Sequence, residues 1–384
     1  MKLISSGQRR KLVGALAGLA YFIASGAACA HVGEVHSDTE AWDVWSFTPD
    51  VVIPTVLICL VYGAGVIRRR AYGDSIQLWR HAAFAGGVFS VFLALESPVD
   101  YVAEHVFYMH QIQHLLLHMI GPMLIALSAP QAMLISGLPS ALRRNALAPT
   151  VSNSAARQSF SWLTNPVVVT ALYIASLYVW QYPPYHDAAL LSEPIHYVMH
   201  VSMLAAGLLF WWRVFDMRAA PVSLPYGTRL MMLWVVILSN IVLGSYTTLK
   251  SEVLYPAYDT VGRLFEIRPV FDEMLGGMII WIPSSMMCLV GMIIVIHMWG
   301  RHETRLYERG MSSWLSSATV PSSPTTGEAL VERARTKNHT LAVGFAVFAI
   351  VVFATVLSIG VLDHLNGETP HGLFASGPGS KSVQ

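Results

Sequence analysis

VFYMHQIQHLLLHMIGPMLIALSAP, residues 106–130, sets His110, His114 and His118 at a strict four-residue spacing inside an apolar run long enough to cross a bilayer. An α-helix turns about 100° per residue, so each step of four drifts by about 40° and the three imidazoles are expected to form one stripe. Ionisable side chains at membrane depth are costly, and where they occur they mark function. A second apolar run, 195–215, carries His196 and His200 at the same spacing. Two helices with facing imidazoles predict a metal or haem site within the membrane.

The rest of the chain supports a membrane setting. Hydrophobic residues make up 54% of its 384 residues and charged residues only 12%, and the mean hydropathy of +0.51 excludes an ordinary soluble domain. The formal net charge is +1 and by itself says nothing about nucleic acid, because the basic residues are distributed by topology rather than gathered in a patch; no nucleic-acid partner is expected. The three cysteines, Cys29, Cys59 and Cys288, lie far apart and form neither a disulfide framework nor a Cys-x-x-Cys site.

Residues 1–30 read as a cleavable bacterial secretory signal: Arg9-Arg10-Lys11, the apolar run from Leu12 to Ile23, then small residues ending Ala28-Cys29-Ala30. An uncleaved first helix is the alternative, and it leaves the orientation unchanged. Cleavage after Ala30 would expose the α-amine of His31, which with its imidazole and nearby His36 could chelate Cu(II). Apolar stretches near 49–67, 80–96, 106–128, 166–182, 195–215, 229–248, 274–298 and 340–362 each suit one span. The expectation is an all-α polytopic transmembrane helix bundle with eight spans after the signal peptide. A periplasmic segment 31–48 precedes a seven-helix core, 49–300. A cytoplasmic linker, 301–339, then leads to the eighth helix, 340–362, and a disordered periplasmic tail, 363–384.

Charge orients the bundle. Arg68-Arg69-Arg70, Arg143, Arg144, Arg157, Arg213, Arg218 and the basic residues from Arg301 to Lys337 fall on one side, against Lys250, Arg263, Arg268 and Lys381 on the other. The positive-inside rule makes the first side cytoplasmic and both mature termini periplasmic, in the inner membrane. The third and fifth spans then run in the same direction, with His110, His114, His196 and His200 in the outer half and His118 near mid-bilayer. Met203, seven residues after His196, shares its face and adds a thioether. Imidazole and thioether donors without a thiolate pair favour copper.

Further pieces lie on the outer side. Trp180-Gln181-Tyr182-Pro183-Pro184-Tyr185-His186-Asp187 is expected to be a non-helical interfacial loop, because prolines disfavour helix and aromatic residues suit the interface. His105 and His186, taken singly, read as interfacial or hydrogen-bonded residues, as do His81, His297, His302 and His339 near the cytoplasmic boundaries; His364 and His371 fall in the tail. Asp272 is either a metal ligand or tautomer-fixing partner, or a helix N-cap beside an exposed Glu273. Gly276-Gly277 allows close helix approach.

Three segments together resemble the caa3-type cytochrome c oxidase assembly factor family, CtaG, in its polytopic membrane form. They are Ser97-Pro98-Val99-Asp100 through His110, His114 and Leu115 to Ala129-Pro130; Trp180 with Pro184-Tyr185-His186-Asp187-Ala188-Ala189-Leu190 through His196 and His200 to Phe210-Trp211; and Leu254-Tyr255-Pro256-Ala257-Tyr258 with Asp272 through Trp281. Glu273 departs from the family, which tends to carry an amide there. The resemblance implies a non-enzymatic role in maturing haem–copper oxidases, with the oxidase subunits, membrane lipid and a periplasmic copper chaperone as partners. The residues leave open a metal site of His110, His114, His118, His196, His200, Met203 and Asp272 holding copper, or a b-type haem held by His114 and His200. A membrane di-iron oxygenase is disfavoured because its His boxes face the cytoplasm, and a scaffold without metal stands as a further alternative.

Overall fold

A computed structural model describes residues 41–74, 77–218, 223–316 and 347. The signal segment, His31, His36, most of the eighth helix and the tail lie outside the described residues. Among the described residues there is no strand. The main helices are α1 (Pro49–Ala71), α2 (Leu78–Glu96), α3 (Pro98–His105), α4 (Phe107–Ser128), α5 (Gln131–Gly137) and α6 (Ser154–Leu163). They continue with α7 (Pro166–Gln181), α8 (Pro183–Leu190), α9 (Glu193–Val214), α10 (Tyr226–Leu249), α11 (Ala257–Val261) and α12 (Pro269–Ser316).

Six of these, α1, α2, α4, α9, α10 and α12, are long and apolar enough to cross a membrane. The expected fourth span differs from the reading of its composition. Helix α7 has 16 residues, about 24 Å at 1.5 Å per residue, short of the ~30 Å hydrocarbon core. It reaches spanning length only together with α6, which it meets at 63°. The break has a local cause: Asn165 caps α7 by accepting from the Val167 N–H, and Pro166 biases the residue before it away from helix. Helix α12 runs past the expected end of the seventh span at 298, through Arg301, to Ser316.

Helix α4 is the most enclosed of the six spans, and its backbone is not uniform. Residues Leu115–Ile120 form a π-helical segment. Pro122 follows at once; it has no N–H to offer the His118 carbonyl one turn back, and its ring crowds that carbonyl, so a wider turn relieves the conflict. The His118 carbonyl is where α9 comes closest. A Cβ on Gly207 would lie 2.5 Å from that oxygen and 2.9 Å from Pro122 Cγ, so only glycine permits the crossing. The Gly276-Gly277 pair serves α12 in the same way: a side chain on Gly276 would enter the Phe107 ring, and a Cβ on Gly277 would lie 2.5 Å from Thr248 Oγ1. Beneath the histidines, Met119, Tyr173, Phe210, Trp211, Leu233 and Cys288 form the largest apolar cluster.

Prolines 183 and 184 do not make the expected loop. They occupy the first two positions of α8, where a missing N–H costs nothing because no acceptor precedes it. The resulting helix carries His186 inward to full burial.

Candidate metal centre

His110 and His114, in the first two turns of α4, reach His196 and His200, in the first two turns of α9, through their rings. Ring centroids are 4.4 Å apart for His110 and His114, 4.3 Å for His196 and His200, 5.3 Å for His110 and His196, and 6.1 Å for both His110–His200 and His114–His200. Candidate ligand atoms of His110, His196 and His200 all fall within 4.8 Å of one another. Nitrogens bound to one ion at about 2 Å are at most about 4 Å apart, so the rings need close by only about 1 Å to share an ion.

Several of these imidazoles' nitrogens have no other occupation. The buried Nε2 atoms of His110, His196 and His200, and both nitrogens of His114, lack hydrogen-bond partners. A buried unsatisfied polar group costs about 1–3 kcal/mol, and five of them in one place demand a ligand or water. The donor set therefore fits a metal that takes imidazole.

The start of α4 is held in place by a carboxylate from α12. Asp272 Oδ2 accepts from the Phe107 N–H and Oδ1 from the Tyr108 N–H, each at 2.9 Å, and Arg263 pairs with the same carboxylate at 2.5 Å. Asp272 is thus turned to capping the neighbouring helix, with both oxygens engaged, rather than joining the imidazoles. Glu273 is buried rather than exposed: it accepts from the Leu254 and Tyr255 N–H groups, both at 3.0 Å, and pairs with Lys250.

The π-helical segment also redirects His118. The expected single stripe assumes an unbroken α-helix, and the wider turn takes His118 off it. Its ring stacks on Tyr173 with centroids 3.9 Å apart, and its Nε2 meets Ser176 Oγ at 3.1 Å. Met203 is fully buried in an apolar cluster with Leu177, Ala189, Met199 and Ile280. A cavity of about 20 Å³, room for about one water, lies below His114 and is lined in part by Gln111, His118, Tyr173, Asn240 and Ser284.

A profile of the cytochrome c oxidase caa3 assembly factor family matches residues 60–302, which contain every one of these imidazoles. The chain belongs to that family. Other proteins similar to this chain include an uncharacterized protein of Mycobacterium bovis and one of Mycobacterium tuberculosis, each 25% identical over 276 residues, and one of Mycobacterium leprae, 23% identical over the same length. The aligned part is 69% of this chain and 41% of each relative, so the chain spans about two fifths of the curated relatives it matches. No solved structure matches it significantly.

Two residues that pack against the histidine cluster, one histidine and one tyrosine, were not legible as such. His186 is 0% exposed, with its ring 4.9 Å from His110 and 6.5 Å from His114; burial pushes its imidazole down to about 4, so it stays neutral. Tyr258, on α11, places its hydroxyl 2.7 Å from His110 Nδ1 and 3.0 Å from His186 Nε2. The Pro-Pro start of α8 was the available signal for His186, and Tyr255-Pro256-Ala257-Tyr258 for Tyr258. Glu104, whose side chain is 41% exposed, comes within 3.7 Å of His196 Nδ1.

Proposed function

We propose that this protein holds copper at the His110, His196 and His200 imidazoles, with His114 as an exchanging ligand, and passes it to the catalytic part of a haem–copper oxidase during assembly. A periplasmic copper chaperone is the proposed donor and the oxidase subunits the acceptor, in an inner-membrane orientation with the cluster in the outer half of the bilayer and both mature termini periplasmic. The protein acts as a carrier rather than an enzyme. One observation carries this reading: buried imidazoles from two helices, with candidate ligand atoms within 4.8 Å and their Nε2 atoms unpartnered, in an oxidase assembly family.

The donor chemistry favours Cu(I). Neutral imidazoles leave the charge of a bound ion uncompensated at membrane depth, where a monocation is far cheaper to bury than a dication. Transfer needs ligands that exchange one at a time, and His114, 4.4 Å from His110 by ring centroids, offers two unpartnered nitrogens for that exchange. Packing argues against the haem alternative. The His110 ring lies 4.4 Å from His114 and 6.1 Å from His200, crowding the space a porphyrin between those two would need.

Copper analysis and a visible spectrum on purified protein and on the double variant His110→Ala, His200→Ala test the assignment. Stoichiometric copper in the wild type, lost in the variant, is the expected result. An equal copper load in both, or a Soret band that disappears with His114→Ala, overturns it.

A further inference from the structure

We propose that His186 and Tyr258 are positioning residues, forming a one-way hydrogen-bond relay that fixes the proton of His110 on Nδ1 and leaves its Nε2 lone pair facing His196 and His200. The inference deepens the copper reading and rests on it for its purpose, while its geometry stands apart from any metal.

Proton positions along this path follow from which partners can donate and which can accept. The path begins at the Trp180 carbonyl, which can only accept, and His186 Nδ1 lies 3.0 Å from it. His186 must therefore carry its proton on Nδ1. A neutral imidazole then has a bare Nε2, which can only accept, and its partner at 3.0 Å is the Tyr258 hydroxyl. That hydroxyl has one proton and spends it on His186. Its oxygen can then only accept from its remaining partner, His110 Nδ1 at 2.7 Å. His110 is thereby protonated on Nδ1, and its Nε2, buried and without a partner, presents a lone pair.

The reverse polarity is closed off. If Tyr258 donated to His110, His186 would need protons on both nitrogens. A cation would then sit at a position of 0% exposure, and neither of its nitrogens meets a carboxylate; an unpaired buried charge of that kind is strongly disfavoured. Three residues from α8, α11 and the end of α7 thus decide the chemistry of one on α4. His110 is presented as a donor for an ion before any ion arrives, and no proton needs to leave it on binding. Outer partners of metal-binding histidines act in this way elsewhere, orienting the ring and setting the tautomer.

Nitrogen-15 NMR of histidine-labelled protein in nanodiscs, without metal, reads the tautomer directly, with His110 assigned by its loss in His110→Gln. The expected wild-type spectrum shows His110 neutral with Nδ1 protonated and Nε2 bare. In His186→Phe the Tyr258 proton is released to His110 Nδ1, so the tautomer should reverse. In His186→Gln the side-chain oxygen can take the Tyr258 proton, and the wild-type tautomer should return. Tyr258→Phe should give a mixture. Cu(I) affinity should fall about 10–100-fold in His186→Phe and Tyr258→Phe and recover in His186→Gln. A wild-type His110 protonated on Nε2, or an unchanged His110 signature in both His186→Phe and Tyr258→Phe, overturns the relay. Expected NMR signatures in a protein that binds no copper would overturn the copper reading and leave the relay standing.

Discussion

Gly207→Ala adds a methyl group where α9 crosses α4, two turns along from His200, about 10 Å by helix rise. The new Cβ would sit 2.5 Å from the His118 carbonyl oxygen and 2.9 Å from Pro122 Cγ, where ordinary contact starts at 3.4 Å. Backbone and a proline ring cannot rotate aside, so the two helices must part by about 0.9 Å. Carried along a stiff α9, that displacement widens the nitrogen set from within 4.8 Å towards about 5.7 Å, against the ~4 Å that two nitrogens can span on one ion. Overpacking of this sort costs about 1–3 kcal/mol of stability. Loosening the ligand set should cost a further ~1.4–2.7 kcal/mol of binding, about 10–100-fold in affinity. Competition titration with a Cu(I) chelator, beside thermal unfolding in the same detergent, measures the two losses separately. Affinity within about twofold of wild type in a folded Gly207→Ala protein would refute the claim that the α4–α9 crossing sets the site.

Asp272→Ala leaves the Phe107 and Tyr108 N–H groups and the Arg263 guanidinium without their carboxylate; a loss of about 3–5 kcal/mol is expected in unfolding experiments. Asp272→Asn tests the other role: if that variant is as stable as wild type yet binds no copper, the carboxylate is a ligand after all. Asp100 is held well above the ordinary carboxylate value of 3.8, first by burial and then by Glu104, although Gln113 donates to it at 2.5 Å. Its raised value means that the folded state binds the extra proton, so the stability that Asp100 itself contributes should fall as pH rises upward from about 4, against the opposite trend of buried neutral imidazoles such as His186. Asp100→Asn should flatten that dependence and stabilise the protein at neutral pH, and identical pH–melting curves would contradict the assignment. His118→Phe keeps the stack on Tyr173 and gives up the Ser176 contact and a hydrogen bond with the Tyr173 backbone, so copper loading should survive with a stability loss of about 1–3 kcal/mol; loss of copper would return His118 to the site.

Apolar helices of spanning length, and an imidazole pair on each of two of them, follow from local pattern. Hydropathy and the four-residue spacing of His110 with His114, and of His196 with His200, describe neighbours on one helix, where geometry is nearly invariant. Two local rules were overridden by their surroundings. The α-helical repeat does not extend to His118, because Pro122 forces a wider turn just before it. Pro183-Pro184, read as helix breakers, become helix starters because nothing upstream requires their missing N–H groups. A composition that suits one straight span at 166–182 instead yields a short helix bent from its neighbour at Asn165-Pro166.

The sequence alone determined that this chain carries helices apolar enough to cross a membrane, that two of them each bear a pair of histidines four residues apart, and that it resembles oxidase assembly factors, since each of these depends on neighbours along the chain. Tertiary structure decided which nitrogens are left unpartnered, that Asp272 caps α4 instead of joining the imidazoles, and that His186 and Tyr258 stand behind His110. Those contacts link residues 72 to 165 positions apart, and hydrogen-bond partners at such separations are chosen by how helices pack, which no periodicity encodes.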